Sequence, residues 1–302
     1  MPSWRQLLNE IQAAGSTHDQ VRRKYLAELS RLTGRNVIVY YSGWLDKGHL
    51  ARQYFEPFSV NDSDKNAFMT AIHGMERTNG LDLMLHTPGG DVAAAESLVS
   101  YLRSMFGTDI RAVVPQLAMS AGTMVACACK EIIMGLHSSL GPIDPQINGL
   151  PAHGIVEEFE RAKKDISLYQ PSMPLWQQII GKYHPTLIGE AEKAIEWSRS
   201  IVEDWLTTGM FKRNPKAREK AKKVVEALGD PMLTLSHARH IDFDAAKKVG
   251  LKVTPLERDD NLQNAFLTVH HACMLTFSAT AAVKLVENQK GEATIQTVAV
   301  AQ

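Results

Sequence analysis

The sequence predicts an α/β fold, and three observations carry the prediction. Between Leu81 and Met134, short apolar runs alternate with helical periodicity: Leu81 to His86, Val92 to Phe106, Ile110 to Val114, Ala121 to Cys129 and Glu131 to Met134 read as strand, helix, strand, helix, strand. Such alternation argues for βαβ units on a mainly parallel sheet. Glycines stand at a joint, Gly89-Gly90, where a strand must turn into a helix. Beyond Gln146 the chain changes to long charged amphipathic segments, which adds helices to the α/β core. Pattern alone describes a doubly wound sheet.

In chain order, residues 1–35 form an N-terminal helical arm. Trp4, Leu7, Leu8, Ile11, then Val21, Tyr25, Leu26, Leu29 and Leu32 recur at three- and four-residue steps, and Gly34 ends the run. The arm either packs on its own domain or grips a neighbouring subunit. Residues 36–152 form the core. Its first strand is Asn36 to Tyr41, β-branched and aromatic between Gly34 and Gly43. Trp44 to Phe58 is aromatic and irregular, and the Asn61-Asp-Ser-Asp64 run caps a helix through Met75 with Phe68, Met69 and Ile72 inward. Residues 153–232 form a helical insertion, punctuated by Pro171, Pro174 and Pro185. Residues 233–302 return to the core: Asp242 or Asp244 caps a helix from Ala245 to Val249, Gly250 stops it, and Leu251 to Val253 is a strand. Asn261 to Glu287 reads as an apolar helix before a polar C-terminus.

Composition narrows the function classes. Lys+Arg and Asp+Glu are both 33, so no general attraction to nucleic acid or anionic membrane is expected. The basic run Lys212, Arg213, Lys216, Arg218, Lys220, Lys222 and Lys223 lacks interleaved aromatic residues and reads as a solvated helix face. The N-terminus lacks a secretory apolar region, and no stretch is long enough to span a bilayer, which points to a cytoplasmic protein with no membrane partner. Cys127, Cys129 and Cys273 sit in apolar surroundings without metal-ligand spacing and read as reduced, buried thiols. His237 with His240, and the pair His270-His271, lack a third ligand in a known spacing, and neither a His-Glu-x-x-His motif nor a phosphate-binding Gly-x-x-x-x-Gly-Lys-Ser/Thr loop is present. No metal or other cofactor is expected, and any dependence on ATP would require a partner.

Two joints carry chemistry. At the Gly89-Gly90 turn, the first N–H groups of the next helix have no internal partner and can serve as donors to an oxyanion. Ser120 lies past the Ile110 strand and at the mouth of the small-residue helix from Ala121. A serine there is more commonly a helix cap; it also has the geometry of a nucleophile.

Three pieces, Thr87-Pro-Gly-Gly-Asp91, Ala118-Met-Ser-Ala-Gly-Thr123 and Leu140-Gly-Pro-Ile-Asp-Pro-Gln146, occur in that order. The ordered set resembles the serine dehydrogenase proteinase family, soluble relatives of the Clp-type and signal-peptide-peptidase-A-type proteases. The close match covers Leu81 to Gln146, with a looser echo at Leu235 to Val253. The resemblance implies a Clp/crotonase-like superhelix of stacked ββα units whose glycine loops line one cleft. It implies Ser120 as nucleophile, Asp144 as the group that orients the base, and His237 as the base, with the N–H groups of Gly90 and Ala121 as oxyanion donors and Gly89 supplying backbone freedom. His240 competes with His237. A Ser-Lys dyad, as in the signal-peptide-peptidase type, would use Lys163 or Lys164, although their many charged neighbours suggest a solvated face rather than the desolvated site a lysine base needs. The expected activity is that of an ATP-independent serine peptidase acting on peptides or unfolded segments. A crotonase-like acyl-CoA enzyme and a non-catalytic assembly protein share the fold and remain open. A homo-oligomer is expected, with interfaces on Met1 to Leu32 and Ile155 to Leu228 anchored by Trp4, Trp176, Trp197 and Trp205.

Overall fold

The structure, a computed structural model, describes residues 3–13, 18–147, 149–229 and 239–298. Among them the first half of the chain contains helices α1 (Trp4–Ala13), α2 (His18–Thr33), α3 (Gly48–Gln53), α4 (Asp64–Ile72), α5 (Val92–Phe106) and α6 (Ala121–Cys127). Interleaved with them are strands β1 (Asn36–Ser42), β2 (Leu81–His86), β3 (Ile110–Val114), β4 (Leu117–Ala118), β5 (Glu131–Met134) and β6 (Ser139–Leu140). A short hairpin of β7 (Gln146–Ile147) and β8 (Leu150–Pro151) leads into α7 (Ala152–Leu168), α8 (Met173–Ile180), α9 (Leu187–Trp205) and α10 (Ala217–Gly229). The chain closes with α11 (Phe243–Lys248), β9 (Val253–Pro255), α12 (Asp260–Ala279), β10 (Ala282–Asn288) and β11 (Ala293–Thr297).

The main sheet has seven strands in the order β11-β10-β1-β2-β3-β5-β9. β1, β2, β3, β5 and β9 run parallel, and β10 and β11 add an antiparallel edge. Side chains of successive residues point to opposite faces, so a sheet covered on both sides needs apolar residues at consecutive positions. In β1, Ile38 and Tyr40 join the core shared with α4, α5 and α6, while Val37, Val39 and Tyr41 join the core shared with α2 and α12.

β2 is followed by a cross-strand bridge at Thr87 and then α5, β3 by β4 and then α6, and β5 by β6. Thr87 bridges Ala118, and β4 pairs in parallel with β6, so the cross-strands stack beside the main sheet. The result is the stacked ββα architecture with added helices. These cross-strand contacts bring the three sequence motifs side by side.

Several local expectations need correction. The stretch from Asn261 to Glu287 is not one helix: α12 ends at Ala279, and the rest forms β10, with β11 following. Lys284, Glu287 and Asn288 gave this piece a polar character, yet all three are buried because each has a distant partner. Met69 of α4 faces solvent at 51% exposure rather than the core. The N-terminal arm packs on its own domain: Leu7, Ile11 and Val21 meet Leu275 of α12, and the buried guanidinium of Arg22 donates to Glu287 of β10 and to Thr276 at 2.9 Å. Trp176 and Trp205 are buried within the chain, which leaves Trp4 and Trp197 exposed among the four tryptophans considered as interface anchors.

Candidate active site

Ser120 links β4 to α6 with φ 49° and ψ −119°, the one non-glycine residue at positive φ among those described. Its position at the helix mouth would suit a cap, but its side chain makes no cap hydrogen bond. A backbone held in this sparsely populated region costs on the order of 1–3 kcal/mol and persists only where its surroundings enforce it. The sharp strand-to-helix turn has the form of a nucleophile elbow, which exposes a serine hydroxyl above the sheet.

The glycine turn is pressed against this serine. Gly89 has φ +94°, and a Cβ built on it would stand 2.5 Å from Ser120 Cβ and 3.0 Å from the Ala121 nitrogen. Only glycine permits that approach. The third motif arrives from the other side: a Cβ on Gly141 would lie 3.1 Å from the Ser120 nitrogen, and the Gly141 N–H donates to Thr123 Oγ1 at 2.8 Å. Thr123 Oγ1 in turn donates to the Ala118 carbonyl at 2.7 Å. The sequence-predicted pieces around Gly89, Ser120 and Gly141 therefore meet at one point.

The direction of the glycine turn follows from its hydrogen bonds. The Gly89 carbonyl accepts from the Val60 N–H at 2.8 Å, and the Val60 carbonyl accepts from the Asp91 N–H at 2.9 Å. In a trans peptide the N–H points opposite to the C=O. Fixing the Gly89 carbonyl on Val60 thus turns the Gly90 N–H away from Val60. Neither that N–H nor the Ala121 N–H has an acceptor among the described residues. Backbone donors left without an acceptor are the kind of group from which an oxyanion hole is built.

Asp144 is buried, at 6% exposure, on the stretch that follows β6. The Ile143 N–H donates to the Leu228 carbonyl at 3.1 Å, and the Ile143 carbonyl accepts from Ser198 Oγ at 2.8 Å, so this stretch is held by the helical insertion. His237 lies outside the described residues. His240 is exposed, just before the Ile241 backbone pairs with Leu140 at 2.8 and 2.9 Å. Lys163 and Lys164 are exposed on α7; the Lys163 ammonium pairs with Glu160 at 2.6 Å, which raises its pKa, the opposite direction from that required of a lysine base. Among the described residues, no group of three His, Cys, Asp or Glu side chains could hold a metal ion.

Sequence reasoning missed the support behind the glycine turn. Val60 is flanked by a buried network in which Lys284 Nζ donates to the Ser59 carbonyl at 2.6 Å and to Asp64 Oδ1 at 2.8 Å. Asp64 Oδ2 accepts from Tyr40 Oη at 2.6 Å and from the Asn61 N–H at 3.0 Å. Burial pushes the Lys284 pKa down, and the Asp64 charge opposes that. The one signal in the sequence was Gly90, where a Cβ would stand 2.4 Å from the Val60 nitrogen and oxygen.

Comparison with known proteins gives the family. A model of the family described as ClpP-like SDH-type serine proteinase matches residues 7–262. The uncharacterized protein MJ0137 of Methanocaldococcus jannaschii is 30% identical over 232 residues, covering 77% of this chain and 73% of that protein. The uncharacterized protein MJ1495 of the same organism is 27% identical over 237 residues, covering 78% and 75% respectively. The chain belongs to the ClpP-like SDH-type serine proteinase family.

Proposed function

We propose that this protein is an ATP-independent serine peptidase that cleaves peptides or unfolded segments through an acyl-enzyme on Ser120. The observation that carries the proposal is the strained Ser120 turn, with its hydroxyl unused as a cap and the glycine turn packed against it. Ser120 Oγ attacks the scissile carbonyl while its proton passes to the base, and the negative oxygen is held by the N–H groups of Gly90 and Ala121. The amine leaves with a proton from the base, and water then hydrolyses the ester by the same route. Asp144 orients the base in this reading, and His237 is the base. What supports His237 is the anchorage of the described residues on either side of it: Leu228 bonds to Ile143 and Ile241 to Leu140, both on the stretch that carries Asp144.

The same proposal takes the protein to be a cytoplasmic homo-oligomer. No helix among the described residues is long and apolar enough to cross a membrane. Exposed Leu168, Tyr169 and Leu175 on the helical insertion supply apolar surface for assembly.

A fluorophosphonate probe tests the chemistry. Labelling at Ser120, lost in Ser120→Ala and strongly slowed in His237→Ala and Asp144→Ala, is the expected result. Retained peptide hydrolysis by purified Ser120→Ala would remove the nucleophile, and loss in Lys163→Ala or Lys164→Ala with full activity in His237→Ala would move the base to a lysine. Stabilisation by coenzyme A without labelling would favour an acyl-CoA enzyme instead.

A further inference from the structure

The glycine turn aims its donor only as well as Val60 is held, and Val60 has no side-chain polar group with which to hold itself. Its place is set by neighbours on both sides. The Ser59 carbonyl accepts from Lys284 Nζ at 2.6 Å and from Asn61 Nδ2 at 3.2 Å. The Asn61 N–H donates to Asp64 at 3.0 Å, and Asp64 in turn is fixed by Lys284 and by Tyr40 of β1. Lys284 and Asp64 are each 1% exposed, so neither charge has water as an alternative partner. An ion pair so deeply buried is poor value as a stabiliser, because an apolar pair of similar volume would serve the fold as well or better. What an apolar pair could not supply is a grip on the Ser59 carbonyl.

We propose that Lys284 and Asp64 are positioning residues: they clamp the Ser59–Asn61 segment as a rail along the glycine turn and so fix the direction of the Gly90 N–H. This inference rests on the proteinase reading of the site. The rail is rigid on its other side as well, since Gly90 leaves no space between itself and Val60. Displacing Val60 would rotate the Gly89-Gly90 peptide through the bond from the Val60 N–H to the Gly89 carbonyl. The donor would then turn away from the place where the oxyanion forms. Lys284 belongs to β10, so the strand added at the sheet edge has a role in the site as well as in the fold.

The test is the double variant Asp64→Asn with Lys284→Met, which removes both charges together and avoids leaving one buried and unpaired. Lys284→Met alone serves as a second variant. Two readouts are taken on protein that retains the parent's circular dichroism: amide exchange at Val60 and Asp91, and peptidase kinetics. The expected result is exchange at those two amides faster by about tenfold or more, with kcat lowered by about tenfold or more at unchanged KM, as for a misdirected oxyanion donor. Parent-like exchange at Val60 and Asp91, or a parent-like kcat, would overturn the clamp. Should the parent protein itself neither hydrolyse peptides nor label at Ser120, the proteinase reading fails, and amide exchange alone decides whether Lys284 and Asp64 hold the rail.

Discussion

Ser120 and Gly89 are each shaped by the other. Because Ser120 holds φ 49° as a non-glycine residue, Ser120→Gly should relieve strain and stabilise the protein by about 1 kcal/mol, while Ser120→Ala keeps the Cβ and gains nothing. Both variants should lose hydrolysis. Thermal unfolding of the pair checks this, and a Ser120→Gly variant less stable than Ser120→Ala would show that the turn carries no strain. Gly89 gives the complementary case. An alanine there would set its Cβ 2.5 Å from Ser120 Cβ and 2.7 Å from the Met119 carbonyl, at φ +94°. The expected cost is about 1–3 kcal/mol of stability, with a loss of about 10²-fold or more in rate as the turn moves. Gly107→Ala is the control: its φ is +59°, but nothing stands within 4 Å of the added methyl, so it should pay only the backbone cost and keep its activity. Equal activity in Gly89→Ala and Gly107→Ala would separate the glycine turn from the chemistry.

At the scale of elements, α12 and β2 meet through a buried histidine cluster. His86 stacks on Trp44 with ring centroids 4.3 Å apart and lies 5.5 Å from His270, whose Nδ1 is 3.3 Å from Tyr41 Oη. Burial lowers the His270 pKa to about 3, with His271 and His137 adding to the shift; burial, then His270, pushes His86 well below its ordinary value. In the unfolded chain both rings titrate near about 6.5. The unfolded state therefore binds protons that the folded state refuses, so stability is complete above about pH 6.5 and falls as pH drops toward about 3. The loss should reach a few kcal/mol near about pH 4, and His270→Leu should flatten the slope of stability against pH between about 6 and 4. Urea midpoints across that range check it; an unchanged slope in His270→Leu would take His270 out of the acid response. These elements also show what a sequence can tell. The turn after β2 was legible because its signal, a pair of glycines, is local; Ser120 by itself read more commonly as a helix cap, a bond its side chain does not make, and of the two aspartates that could cap α11 it is Asp242, three residues before the N–H it accepts from, that does so. β10 was not legible, because Lys284, Glu287 and Asn288 are buried only by virtue of Asp64, Arg22 and the Ala71 carbonyl, more than two hundred residues away in the chain. The Val60 rail escaped for a similar reason, being a backbone contact between segments that share no motif.

At the scale of the whole molecule, the helical insertion ends in apolar surface that the core does not cover. Leu168 is 75% exposed, Tyr169 66% and Leu175 61%, all at the turn from α7 to α8, and Trp197 of α9 is 41% exposed. Single exposed apolar residues are ordinary on a protein surface, but three large ones within eight positions of the chain are the first place to test for contact between copies. The insertion also holds the site through Leu228 and Ser198, so contact between copies on this surface would bear on the stretch that carries Asp144. A peptidase without a dedicated unfolding partner gains from assembly, since clefts fenced by neighbouring copies admit extended chains and exclude folded ones. The expected outcome is an oligomer in light scattering at micromolar concentration. Leu168→Asp with Leu175→Asp should dissociate it, because burying an unpaired carboxylate at an interface costs several kcal/mol. Those two substitutions lie outside the site, so the dissociated protein should remain folded, and its activity on folded proteins relative to short peptides should rise. A single species at the 33.5 kDa mass of one chain, with full peptidase activity before any substitution, would mean that assembly is neither present nor needed.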